Sequence, residues 1–167
     1  MRLARAWRTW RALSAADWGR LGMAYLALGR LDLALRTLGF RRVAHHLATT
    51  RGAASRPAGP REIARARRYA RLIDVAARHH LVRAHCLHRS LVLHAWLRHE
   101  GLPSEFLIGV RKEGSHLRAH AWVELAGQVV NDRPAAVAPF APLGRGRGAS
   151  VGGQAIERDL VGGMRWT

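Results

Sequence analysis

An apolar run at helical spacing begins at the chain's one cysteine, Cys86, and is stopped by Gly101 and Pro103, within the segment HCLHRSLVLHAWLRHEGLP that starts at His85. Beyond that stop the period changes. Phe106, Ile108 and Val110 alternate within residues 105–112, a Glu113-Gly114-Ser115 turn follows, and residues 117–125 and 128–132 carry further strand-like runs. A chain that changes from helical to alternating spacing at one point is expected to be α+β. Its N-terminal helices lead to a helix headed by Cys86, and that helix leads to a short antiparallel sheet.

The placement of Cys86 carries chemistry. A lone thiol cannot form an internal disulfide, and in the first turn of a helix the unpaired amides and the positive dipole end favour its thiolate. Downstream, the run AHAWVEL puts His120 in a strand, and Asp132 ends the run VVND. Cys, His and Asp in this order form the set a thiol hydrolase needs: nucleophile, base and a carboxylate that orients the base. With Ala126 and Gly127 between them, His120 and Asp132 fit a hairpin. A three-residue loop of Leu125, Ala126 and Gly127, with Gly127 left-handed, sets Glu124 opposite Gln128 and His120 opposite Asp132 on one face. A two-residue loop would turn Asp132 to the other face. Trp122 and Glu124 alternate onto the face of His120. Trp122 either lines the site or packs in the core, and Glu124 is an alternative carboxylate partner.

The residues before Cys86 read as helices. Ser14 begins one with Asp17 in its first turn, and that helix runs through Trp18, Leu21, Tyr25 and Leu28 to Gly29. A second apolar segment spans residues 31–38 and ends at Gly39. Residues 51–60, rich in Gly, Ala, Ser and Pro, form a loop. Pro60 opens a helix with Ile63, Ala66, Ala70, Ile73 and Ala77 on one face and Arg67, Arg71 and Arg78 elsewhere, which is expected to brace the helix of Cys86. The stretch from Arg133, with Pro134, Pro139, Pro142, Gly144, Gly146 and Gly148, is expected to be irregular. The division that follows is a helical segment over residues 1–50, packed on a core over residues 60–167, in one domain.

Basic residues number 28 and acidic residues 11, for a formal charge of +17, and Lys112 is the one lysine. Such a surface attracts polyanions, acidic peptides or anionic membranes, most strongly at low salt. Charge is also all that supports a non-catalytic nucleic-acid-binding module, because neither a zinc finger nor interleaved basic and aromatic residues are present; no specific nucleic-acid partner is expected. His85 and His88 flank Cys86 without a second cluster to complete a zinc site, so neither metal nor cofactor is expected. His116 falls in the turn before the strand of His120 and is expected to face solvent. His45, His46, His79, His80, His94 and His99 read as helix-surface or partly buried. No secretory signal or bilayer-length apolar run is evident, and a free catalytic thiol suits a reducing compartment, so a cytoplasmic location is expected.

The motifs Cys86-Leu-His-Arg-Ser-Leu, Gly101-Leu-Pro, Ile108-Gly-Val-Arg-Lys, Ala119-His-Ala-Trp-Val-Glu and Asn131-Asp together resemble the protease of lasso-peptide biosynthesis, a relative of the transglutaminase-like and papain-like thiol enzymes. The resemblance is closest over residues 84–132. It implies a transglutaminase-like core with Cys86 as nucleophile, His120 as base and Asp132 as orienter. It also implies removal of the leader from a ribosomally made precursor peptide, so that an asparagine-synthetase-like lasso cyclase can close a ring on the freed amine. Some members are fused to a strand-rich leader-recognition domain. The helices read before Cys86 leave no room for one, so a separate leader-recognition protein is the expected partner, with peripheral membrane contact the other use of the basic surface. The alternative activity is acyl transfer to an amine, as in transglutaminases, and the alternative for Cys86 alone is a buried structural thiol.

Overall fold

The computed structural model describes residues 14–49, 57–114, 116–143 and 165–166. Its first helix, α1 (Ala15–Thr49), starts where the sequence marks it. Ser14 donates from its N–H and its hydroxyl to Asp17 Oδ2 at 3.0 and 2.8 Å, and the Asp17 N–H returns a bond to Ser14 Oγ at 3.2 Å. This reciprocal cap satisfies amides that a helix start leaves without intrahelical partners. Gly29, expected to end the helix, does not. Glycine has no stop signal of its own when its backbone stays helical, and a Cβ there would meet the His80 ring at 3.4 Å, an ordinary contact. The break comes at Gly39, where φ 78° and ψ 160° kink the element.

Pro60 opens α2 (Pro60–Arg78), with the Gly59 N–H donating to Glu62 Oε2 at 3.0 Å. The buried face of α2 includes Ile63, Ala66, Ala70 and Ile73 as expected, with Tyr69, Leu72 and Ala76 beside them; Ala77 is only partly buried. The arginines 67, 71 and 78 are exposed. The loop expected over residues 51–60 falls mostly on residues outside those described. Helix α3 (Cys86–His99) packs on α1 and α2. It ends in a Schellman turn: Leu102 N–H reaches Leu97 O at 2.9 Å, Gly101 N–H reaches Arg98 O at 3.0 Å, and Gly101 takes φ 75°.

Among the described residues the sheet has five strands: β1 (Ser104–Glu113), β2 (His116–Leu125), β3 (Gln128–Val129), β4 (Ala141–Pro142) and β5 (Arg165–Trp166). Its order is β3-β2-β1-β4. β5 lies parallel to β2 at Arg118 and Ala119, the part of β2 that β3 does not reach. The stretch after Arg133, expected to be irregular, thus contributes two short strands, and the turn of helix α4 (Pro134–Val137) as well. Two-residue strands and a one-turn helix carry no periodicity in the sequence; pairing with β1 and β2 creates them.

Both faces of β1 and β2 are covered. Ile108, Ala121, Val123 and Leu125 meet the helices, whereas Leu107 and Trp122 lie under Val137 and Phe140. Double coverage explains why residues 119–125 are buried without alternation. Among the described residues no helix is long and apolar enough to cross a membrane.

Gly109 shows how closely the second cover fits. A Cβ there would lie 2.8 Å from Phe140 Cβ and 2.8 Å from two ring carbons of Trp122. Gly109→Ala should therefore destabilise the fold by about 1–3 kcal/mol, the usual range for overpacking. Thermal unfolding at fixed pH reads this as a lowered midpoint; an unchanged midpoint would mean that the Trp122–Phe140 wall yields freely.

Candidate active site

The start of α3 is set by the chain before it. His80 is fixed at both ring nitrogens, Nε2 on the Tyr25 carbonyl at 3.0 Å and Nδ1 accepting the Val82 N–H at 3.1 Å, which ties the approach segment to α1. His85 then takes the extended N-cap conformation, and the first α-helical bond runs from Arg89 N–H to His85 O at 3.3 Å. Cys86 is thus the first helical residue, and the amides of residues 86–88 have no partner inside the helix. Its side chain is buried, against Leu87, Leu91, Ile108 and Ala121.

His120 sits in β2 opposite Gly109. Its Nε2 lies 2.8 Å from Asp132 Oδ2, and its side chain also hydrogen-bonds Cys86, which leaves Nδ1 for the thiol. Trp122 stacks beside the imidazole with ring planes 19° apart, and the Phe140 ring centre is 5.1 Å away. The hydrogen bond to Asp132, then that to Cys86, outweighs burial and raises the His120 pKa to about 9. Asp132 moves the other way: the bond from His120 chiefly holds its carboxyl below the usual range. An imidazolium between two anionic partners is the charge state these contacts favour.

Cys86, His120 and Asp132 are therefore brought together, but not by the expected hairpin. The loop is two residues, Ala126 at φ 50° and Gly127 at φ 72°, with Leu125 opposite Gln128 and Glu124 opposite Val129. Paired positive-φ residues match the twist of the flanking strands, which a three-residue loop does not require. Gly127 is left-handed as expected. This register, continued, sets Asp132 opposite Ala121 with its side chain on the wrong face. The strand expected over residues 128–132 instead stops at Val129, and a bend over residues 130–132 swings Asp132 back to His120.

The other candidates separate. Glu124 accepts from Trp122 Nε1 at 3.0 Å and so braces the wall beside His120 rather than the imidazole. His116 is exposed, at the first position of β2 and not in a turn. His88 is buried with Nε2 3.4 Å from Asp32, on the side of α3 facing α1. Among the described residues no group of three or more His, Cys, Asp or Glu side chains is placed to hold a metal ion.

An open cavity of about 110 Å³ leads to Cys86 between α2 and the bend. Ala70 and Ile73 give it an apolar side. Asp74, Arg89, Asn131 and Asp132 give it a polar one, with Arg89 Nη1 bonded to Asp74 Oδ1 at 3.0 Å. Sequence reasoning gave no role to Ser90, Gly109, Asn131 or Phe140, all built into or against this site. The available signals were small: a serine inside an apolar helical run, and an amide next to Asp132.

No curated protein and no solved structure matches the chain. The sequence pattern of the Transglutaminase-like superfamily does, over residues 27–145, which runs from within α1 past β4 and takes in Cys86, His120 and Asp132. A helix headed by cysteine, packed on an antiparallel sheet that carries the histidine, agrees with that match in architecture, and the chain belongs to the transglutaminase-like superfamily.

Proposed function

We propose that the protein is a cysteine peptidase that removes the leader peptide from a lasso-peptide precursor. The observation that carries the peptidase reading is the hydrogen-bonded chain from Cys86 through His120 to Asp132, at a helix start and beside an open cavity. The leader-peptide substrate rests on the resemblance of the motifs between Cys86 and Asp132 to the lasso-peptide proteases. In the mechanism, the Cys86 thiolate attacks the scissile carbonyl carbon. The carbonyl oxygen becomes an oxyanion that the Cys86 amide is placed to stabilise. His120, protonated and steadied by Asp132, gives its proton to the leaving amine, which is the new N-terminus of the core peptide. It then takes a proton from the water that attacks the leader thioester, and breakdown of that adduct releases the leader's carboxyl group and restores the Cys86 thiolate beside a protonated His120.

Acyl transfer to an amine is the second reading, favoured by the superfamily to which the chain belongs. It uses the same thioester and differs in what attacks it. Incubation of wild-type protein with precursor, read by mass spectrometry, separates the two: hydrolysis gives leader and core whose masses sum to precursor plus one water, whereas transfer gives a leader–amine adduct.

Cys86→Ala should abolish cleavage in a folded protein, and an alkylating agent should do the same, because Cys86 is the one thiol in the chain. His120→Ala should be nearly as damaging. Asp132→Asn should keep roughly a hundredfold more activity than His120→Ala, since it disturbs orientation without removing the base. Full cleavage by Cys86→Ala would end the peptidase reading.

The pH dependence follows from the direction of the His120 shift. With its pKa raised to about 9, His120 carries its proton below that pH and loses it above. Protonation of the leaving amine should therefore fail on the alkaline side. A profile of kcat/KM against pH should fall with an apparent pKa near 9, and Asp132→Asn should move that limb downward, because the Asp132 bond is the largest cause of the shift. An alkaline limb unmoved by Asp132→Asn would separate Asp132 from the proton-transfer step.

The reading includes partners: a separate leader-recognition protein that captures the leader and presents the bond to Cys86, and a lasso cyclase that consumes the core, all in the cytoplasm. A tether of this kind works by raising local concentration. Cleavage should be faster with the leader-recognition protein present, and the gain should shrink as salt rises, since a +17 chain docks acidic surfaces partly by charge. Equal rates with and without it would show that this chain finds the leader unaided.

A further inference from the structure

Away from the reacting atoms, a chain of polar groups joins α3, β2 and the bend that carries Asp132. The Asn131 Nδ2 donates to Ser90 Oγ at 2.8 Å, and the Ser90 hydroxyl donates to the Ala121 carbonyl at 2.9 Å. At its other end, Asn131 Oδ1 accepts the Val123 N–H at 2.8 Å. Ser90 is 0% exposed. Each member adjoins a reacting group: Ser90 lies one helical turn after Cys86, Ala121 follows His120, and Asn131 precedes Asp132.

The ladder shows what the amide replaces. Leu125 and Gln128 close the two-residue loop, so the next hydrogen-bonded pair is Val123 with Val130, which should exchange two main-chain bonds. One is present, from Val130 N–H to Val123 O at 3.0 Å. In place of the other, the Val123 N–H goes to the Asn131 side chain. A side-chain carbonyl thus stands in for the Val130 carbonyl. The backbone is released from β2 just where it must turn for Asp132 to face His120, and the Val123 amide still has a partner.

We propose that Asn131 and Ser90 are positioning residues for the Cys86–His120–Asp132 chain: the Asn131 amide ends the β2–β3 ladder and aims Asp132 at His120, and its bond to Ser90 fixes the register of α3 against β2. The consequence for chemistry rests on the reading of Cys86 and His120 as the reacting pair. The geometric assignment is tested without any substrate, since Cys86 alkylation reports the thiolate–imidazole pair directly in a chain with one cysteine.

The experiment compares wild type, Asn131→Ala, Asn131→Asp, Ser90→Ala and the double variant Ser90→Ala/Asn131→Ala. The Asp variant keeps the size and the acceptor for Val123 N–H but loses the donor to Ser90, and so remains informative if the Ala variant does not fold. Thermal unfolding checks the fold. The readouts are the rate of iodoacetamide alkylation against pH, and kcat and KM for precursor cleavage. Folded Asn131 variants should alkylate more slowly at neutral pH. Their kcat should fall by roughly ten- to a hundredfold, the scale of a misplacement of about 1 Å, with KM nearly unchanged. Their alkaline limb should move below pH 9, as Asp132 loosens its hold on His120. The double variant should be little worse than the worse single one, because both act through one network. A folded Asn131 variant with the wild-type alkylation profile and kcat overturns the proposal, as does a loss that appears in stability alone. If the alkylation profile moves but wild type cuts no precursor, the positioning role stands and the peptidase reading fails.

Discussion

The bond between His120 and Asp132 joins two side chains that the sheet, left to its own register, would place on opposite faces. Antiparallel pairing with a two-residue loop gives each residue of the return strand a fixed partner and a fixed side, and continuing it past Val130 would turn Asp132 away. Much of the local structure reads as a solution to this constraint. β3 is cut to two residues, the chain bends over residues 130–132, and a side-chain amide takes over the ladder's last hydrogen bond. β5 joins β2 farther along, at Arg118 and Ala119, beyond the reach of β3. A site residue and a shortened strand thus have one cause.

The electrostatics of the site follow from the same bond. His120 is held by an acceptor at each nitrogen, flanked by Trp122 and Phe140, and largely shielded from water, so its charge is stabilised by named neighbours rather than by solvent. The wall behind the imidazole depends in turn on Gly109, whose missing side chain lets Phe140 and Trp122 close over the sheet. Glu124 completes the wall by accepting the indole N–H, which keeps a buried Trp122 satisfied without drawing on Asp132.

Elsewhere four acidic residues lie at junctions between helices. Asp17 of α1 pairs with Arg68 of α2, and that guanidinium is the main reason its carboxyl is lowered to about 2. Asp32 of α1 faces His88 of α3, and Asp74 of α2 holds Arg89 of α3. Glu100, at the end of α3, meets both Arg65 and Tyr69 of α2. In a chain with 11 acids against 28 bases, these acids hold the three helices in register while most arginines remain for the surface. The Arg89–Asp74 pair also borders the cavity at Cys86, so one of these junctions doubles as a wall of the site.

Local signals were enough to fix the pieces. Ser14 with Asp17, Pro60 and Gly101 each act through their own backbone or nearest turn, and they mark helix ends correctly because capping is a property of a few consecutive residues. Cys86 at a helix start and His120 in a strand were legible for the same reason. Gly29, in contrast, reads like Gly39 in sequence, yet only Gly39 leaves helical φ and ψ, so the sequence alone does not tell which glycine kinks the helix. The pairing of His120 with Asp132 was anticipated through a loop that does not exist, because hairpin register depends on which turn the flanking twist prefers. The sequence by itself determined the order of elements and the kinds of groups that could react. Tertiary structure decided the register, the strands after Arg133 and the roles of Ser90, Gly109, Asn131 and Phe140, since each depends on contacts between segments far apart in the chain, which no short-range pattern encodes.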